Sequence, residues 1–164
     1  MTTIALHATQ RDVRDLSLPT ELANYDYADS FEIQLGEPDE HTAEEWVRCA
    51  LENAPLATRL TISNAWRHAL RFDVGPDSSP QHLLGANIVE SRPDLIQLEL
   101  SGPLLRGVIL GRRPDPQTVS LTTLLFYEQT LRAQAAWVVV GPAHRRIVPQ
   151  LLEQAAARFS DEAA

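Results

Sequence analysis

His144 is the residue of this chain best suited to exchange a proton near neutral pH, and it stands in the run Gly141-Pro-Ala-His-Arg-Arg146. Two readings of it are open. In one, the imidazole faces the mouth of a cavity and takes part in chemistry. In the other, a ring nitrogen hydrogen-bonds a loop and fixes the entry to a helix. Arg145 and Arg146 could steer an anion, but cations near a helix N-terminus are opposed by the helix dipole, so surface pairing with acidic neighbours is the expectation. A second group comes from residues 118–128. There Val119, Leu121, Thr123, Leu125 and Tyr127 share one parity, and Ser120, Thr122, Leu124, Phe126 and Glu128 share the other. If the first face points inward, Thr123 and Tyr127 are sparse polar handles on an apolar wall, the kind that orient ligands in apolar pockets. A backbone partner for Tyr127 is the alternative. His144 and Tyr127 are the candidates for a general acid or base; no acid–base pair can be located from spacing, so no catalytic residue is assigned.

Apolar residues extend this candidate site. Trp46, Trp66 and Trp137 carry large volumes that normally fill core, with Trp66 and Trp137 the better candidates to line a pocket. Ile96, Leu98 and Leu100 alternate with Gln97 and Glu99 and define the inner face of one strand. Ile147, Val148, Leu151, Leu152, Ala155 and Phe159 recur at helical spacing. The expected lining is therefore Trp66, Ile96, Leu98, Leu100, Thr123, Leu125, Tyr127, Trp137, His144, Val148 and Leu151. Arg67 and His68 either border the opening or lie on a solvated helix edge, the second being the expectation. Cys49, the single cysteine, falls in a helical segment and is expected to be a buried, unreactive small hydrophobe.

Other chemistries lack their signatures. There is no His-Glu-x-x-His, no Cys-x-x-Cys and no carboxylate loop with calcium spacing, and no metal or cofactor is expected. The seven glycines occur singly and read as turn positions, without a phosphate cradle or a Gly-x-Ser-x-Gly elbow. The formal charge is −8 and all fourteen basic residues are arginine, which argues against nucleic acid as the main partner. No apolar run approaches the roughly eighteen residues of a spanning helix, so membrane insertion is not expected. Met1–Asp15 shows no basic stretch followed by an apolar one, and a cytoplasmic location is expected.

The elements that must position these residues follow from patterning. At 164 residues, 44% hydrophobic and 22% charged, the chain has the size and composition of one globular domain. Residues 1–25 read as an irregular N-terminal arm with at most one helical turn. Phe31, Ile33 and Leu35 alternate with polar residues as a half-buried strand. Thr42-Ala-Glu-Glu45 is a capping box for a helix carrying Trp46, Val47, Ala50, Leu51 and Ala54, and a second helix is expected over 57–68 after Pro55. Leu70, Phe72 and Val74 read as a strand, followed by strands at 84–91, 95–101, 104–112 and 118–128. Their short links imply antiparallel pairing. Residues 132–140, ending in Trp137-Val-Val-Val140, read as a last strand behind a hairpin at Gln129-Thr-Leu131. A final helix is expected from Gly141-Pro142 to Phe159, bent or delayed by Pro149, with 160–164 a frayed tail.

The expected architecture is α+β: about seven antiparallel strands curved around a long C-terminal helix, with two short helices after the first strand. This order resembles the helix-grip fold of the START/polyketide-cyclase superfamily (SRPBCC). Asp26-Tyr-Ala-Asp-Ser-Phe31, Thr42-Ala-Glu-Glu-Trp46 and Gly141-Pro-Ala-His-Arg-Arg-Ile-Val-Pro149 resemble uncharacterised bacterial single-domain members, over roughly residues 26–159. The resemblance implies a cavity between sheet and helix that binds or senses a small apolar molecule such as a lipid, polyketide or terpenoid. Two alternatives stand beside it: an interaction module with a filled interior, and an aromatase/cyclase-type enzyme. The apolar outer residues Leu124 and Phe126 motivate the first of these and a possible homodimer.

Overall fold

In the computed structural model, which describes residues 5–163, the chain begins with strands β1 (Thr9–Arg11) and β2 (Tyr27–Gln34). Helices α1 (Ala43–Glu52) and α2 (Leu56–Asn64) follow. Strands β3 (Ser78–Ser79), β4 (His82–Leu83), β5 (Ala86–Arg92), β6 (Leu95–Ser101), β7 (Leu105–Asp115) and β8 (Thr118–Tyr127) come next, and helix α3 (Thr130–Ala163) ends the chain. All the strands belong to one eight-stranded antiparallel sheet in the order β1-β2-β8-β7-β6-β5-β4-β3. The molecule is thus α+β, with a single antiparallel sheet and a long C-terminal helix. No described helix is long and apolar enough to cross a membrane.

Strand parity decides which side chains meet the helices. Tyr27, Asp29, Phe31 and Ile33 of β2 stand opposite Leu125, Thr123, Leu121 and Val119 of β8, and both sets face the layer formed by α1 and α3. Helix α1 starts at the expected capping box: Thr42 Oγ1 accepts from the Glu45 amide, and Glu45 returns a bond to the Thr42 amide. Trp46, Val47, Ala50 and Leu51 are its buried face. Close approach of α1 to the sheet requires a glycine at 111, because a Cβ there would stand 2.4 Å from Val47 Cγ2. Gly85 is needed for a different reason, its φ of 91° in the left-handed region.

Arg113, 7% exposed, ties the α1 end of this layer together. It ion-pairs with Asp39 at 3.0 Å and donates to the carbonyls of Asp39, His41, Pro116 and Thr118. Asp39 also accepts from Trp46 Nε1 at 2.7 Å and sits 2.6 Å from His41 Nδ1. Burial pushes the Asp39 carboxyl up, but the His41 and Trp46 hydrogen bonds together hold it below the usual carboxylate range.

Several expectations are corrected. The N-terminal arm is not irregular throughout: β1 pairs with β2, and 3-10 turns occupy Val13–Asp15 and Thr20–Leu22. Val13 and Leu22 cover Val108, Leu110 and Leu124 on the outer face of the sheet. Of the two apolar outer residues, Leu124 is therefore buried by this chain's own arm, whereas Phe126 is only partly covered. Residues 70–74 form no strand; they make one bridge, Asp73 to Ser101, while Leu70 and Phe72 are buried. Arg71, with a φ of 57°, turns the chain between those two side chains. Strand β7 runs on to Asp115, so its turn falls at Pro116-Gln117.

The largest correction lies at 132–140, which is helical. Helix α3 is continuous over 34 residues, and the expected last strand is its first third. Ala133, Trp137 and Gly141 are buried at i, i+4 and i+8, whereas Val138 and Val139 are 76% and 75% exposed. The β-branched run therefore marks the solvent side of a helix, and the helix-favouring Ala133-Gln-Ala-Ala136 decides the conformation. Pro142 and Pro149 both lie inside the helix. The carbonyls they leave unpaired belong to the exposed residues Val138 and Arg145, where water can satisfy them. Helicity also persists through Ala163 where a frayed tail was expected.

Candidate functional site

A hollow of about 90 Å³ lies between the sheet and α3, closed on its third side by α2 and the turn that follows. The sheet contributes Leu100 from β6, Gly107 and Ile109 from β7, and Leu121, Thr123 and Leu125 from β8. From α3 come Trp137, Val140, Ala143, His144, Ile147, Val148 and Leu151 at helical spacing. The third wall is Thr61, Ile62, Ala65 and Trp66, with Leu70 and Phe72 behind them. Ala65–Ala69 is a π-helical turn at the end of α2, a distortion that recurs at functional sites and that here sets Trp66 in the wall. Thr61 is exposed, which places the opening beside α2.

Of the expected lining residues, Trp66, Leu100, Thr123, Leu125, Trp137, His144, Val148 and Leu151 are gathered around this hollow. Ile96, Leu98 and Tyr127 are not. Ile96 and Leu98 are fully buried core residues, and Ile96 packs where α1 approaches Gly111. Tyr127 is half-buried at the end of β8, where its amide donates to Asp26 at 2.7 Å and burial pushes its phenol up. A different tyrosine, itself outside the lining, braces the site through Asp29 and Trp137.

That residue is Tyr27. Its hydroxyl donates to Asp29 Oδ2 at 2.7 Å and accepts from Arg145 Nη1 at 3.3 Å. Asp29 is 2% exposed and lies 3.0 Å from His144 Nε2 through Oδ2. The Trp137 ring packs against both Tyr27 and His144, with centroids 4.9 Å and 5.0 Å away. Trp137 Nε1 is buried with no hydrogen-bond partner among the described residues. Burial, reinforced by the bond to Asp29, pushes the Tyr27 phenol up to about 12, so it stays protonated and can only donate to the carboxylate. His144 is in the middle of α3 rather than in its first turn. Arg145 consequently escapes the opposing dipole end and is used to hold Tyr27.

Asp29 was legible in principle. It shares parity with Phe31 and Ile33 on the inner face of β2, and an acid at an inward position signals either a partner or a site. The remaining candidates behave as core or surface. Trp46 and Cys49 are buried, and burial pushes the Cys49 thiol up, away from nucleophile chemistry. Arg67 and His68 are exposed, Arg67 lying 3.7 Å from Asp77. Among the described residues no cluster of three or more His, Cys, Asp or Glu could hold a metal ion.

Comparison with known proteins adds no assignment: no family model, no curated protein and no solved structure matches the chain.

Proposed function

We propose that this protein binds a compact apolar ligand in the hollow between the sheet and α3, and that its architecture is a helix-grip of the START-like kind. The strand, two-helix, meander and long-helix order supports the second part. The carrying observation for the first is an internal space walled almost wholly by aliphatic and aromatic side chains with a polar group, His144, in one wall. A fully packed interior would keep few voids larger than a water. At roughly 10–15 Å³ for each water, 90 Å³ holds several waters or one compact molecule. It falls short of the roughly 300–1,000 Å³ of drug-sized sites. The small end of the expected ligands, a single ring or a short chain, fits better than a sterol or an extended polyketide.

Native mass spectrometry of the purified protein, followed by solvent extraction and displacement of a hydrophobic dye, tests this reading. Binding of small aromatic or terpenoid molecules is expected. Failure of every apolar probe to bind would remove it.

An enzymatic role is the second reading, and the Asp29–His144 pair favours it. A buried carboxylate orienting an imidazole in a dry wall is an arrangement that can move a proton. Of the two candidates read from sequence, only His144 belongs to it. Turnover lost in His144→Phe with ligand affinity retained would support this reading over simple carriage.

A further inference from the structure

His144 enters the wall of the hollow with one ring nitrogen already committed. Its Nε2 lies 3.0 Å from Oδ2 and 3.2 Å from Oδ1 of Asp29. An ionised carboxylate only accepts, so in the neutral ring Nε2 carries the hydrogen and Nδ1 presents a lone pair. Tyr27, which Arg145 holds from the solvent side, donates to the same carboxylate and fixes its orientation. No described residue hydrogen-bonds Nδ1. Thr123, opposite Asp29 in the β2–β8 register, also lines the hollow.

An acceptor without a partner in an apolar wall selects for a ligand that brings a donor. We propose that the hollow takes a compact apolar alcohol or phenol whose O–H donates to His144 Nδ1, with Asp29 as the positioning residue that enforces the accepting tautomer. This rests on the hollow being a ligand site, as read above, and adds which chemistry it prefers. A hydrocarbon of the same shape leaves Nδ1 desolvated and unpaired, a loss worth roughly tenfold or more in affinity. An ether brings oxygen but no hydrogen and meets lone pair with lone pair.

Phenol, toluene and anisole separate these cases, because hydroxyl and methyl are nearly isosteric and anisole only accepts. Titrations of the full chain, followed by NMR or tryptophan fluorescence, are expected to rank phenol roughly tenfold or more above toluene, with anisole below phenol because it has no hydrogen for Nδ1 even where it accepts from the unpartnered Trp137 Nε1. His144→Leu should abolish that preference while keeping toluene binding. Asp29→Asn, whose side chain can donate as well as accept, no longer enforces the tautomer and should narrow the gap between phenol and anisole. In the unmodified protein, phenol should shift the Nδ1 nitrogen resonance of His144 and toluene should not, a readout independent of whether either variant folds. Equal affinity for phenol and toluene, or an unmoved Nδ1 resonance, overturns the hydroxyl preference and leaves the ligand site standing. Binding of none of the three overturns both.

Discussion

Asp29 on β2 and His144 on α3 lie 115 residues apart in sequence and meet side chain to side chain at 3.0 Å. This contact locks the middle of the C-terminal helix to the second strand from the sheet edge, beside an otherwise apolar hollow. Removing one partner strands the other away from water. Asp29→Ala is expected to cost about 1–3 kcal/mol, because His144 and Tyr27 both lose their acceptor. In a double-mutant cycle with His144→Leu, the two losses should fall short of additivity by about 0.5–3 kcal/mol. Urea unfolding of the four proteins measures this; strict additivity would mean that the pair carries no coupling.

Arg113 predicts a larger effect at the opposite end of the helix layer. Its guanidinium is 7% exposed and joins Asp39 to several backbone carbonyls, so no water can replace it cheaply. Arg113→Met should destabilise by about 3–5 kcal/mol, because four carbonyls lose their donor and Asp39 loses its cation while keeping Trp46 and His41 as partners. Replacing Asp39 as well, in Arg113→Met with Asp39→Leu, should recover part of that loss. No recovery would show that the carbonyl contacts, and not the ion pair, dominate.

Alkaline stability should depend on Tyr27. Its phenol is pushed up to about 12 in the folded protein, first by burial and then by Asp29, against about 10 in an unfolded chain. A group raised in the folded state lends stability that is complete below the unfolded value and is lost as pH rises through the folded one. Stability should therefore decline between about pH 10 and 12, and Tyr27→Phe should flatten that decline. Denaturant midpoints measured from pH 8 upward would show it, and an identical slope in both proteins would contradict it.

Filling the hollow should separate binding from folding. Ala143 lies in the α3 wall, and Ala143→Leu places aliphatic volume in a 90 Å³ space. Such cavity filling typically raises stability by about 0.5–2 kcal/mol. The variant is expected to melt higher and to lose affinity for toluene. Retention of toluene binding would place the ligand elsewhere.

Much of this framework was readable before any coordinates, and the reasons are local. The Thr42–Glu45 capping box and the inner parity of Ile96, Leu98 and Leu100 are short-range patterns, and the structure keeps both. Alternation leaves the inward face of β8 undecided, because both of its faces are buried, one under the helices and the other under the N-terminal arm. Where local preference competes with packing, patterning misleads. Trp137-Val-Val-Val140 favours a strand by residue type, yet Trp137 alone of the first three is buried, and helical spacing with Ala133 and Gly141 prevails. That one misreading shortened the final helix and put His144 at its start. It also concealed the role of Arg145. Asp29 was missed because its partners are set by strand register and helix position together, and no window of neighbouring residues contains both.

The strand order has a final consequence at its two ends. One border of the sheet is the three-residue β1 and the other is the two-residue β3. Those two strands themselves give a foreign chain almost no ladder to extend. Beyond Asn87, however, β4 no longer covers β5, and there the charged side chains of Glu90 and Arg92 and the bulge after Ile88 are what discourage edge-to-edge zippering of the native molecule.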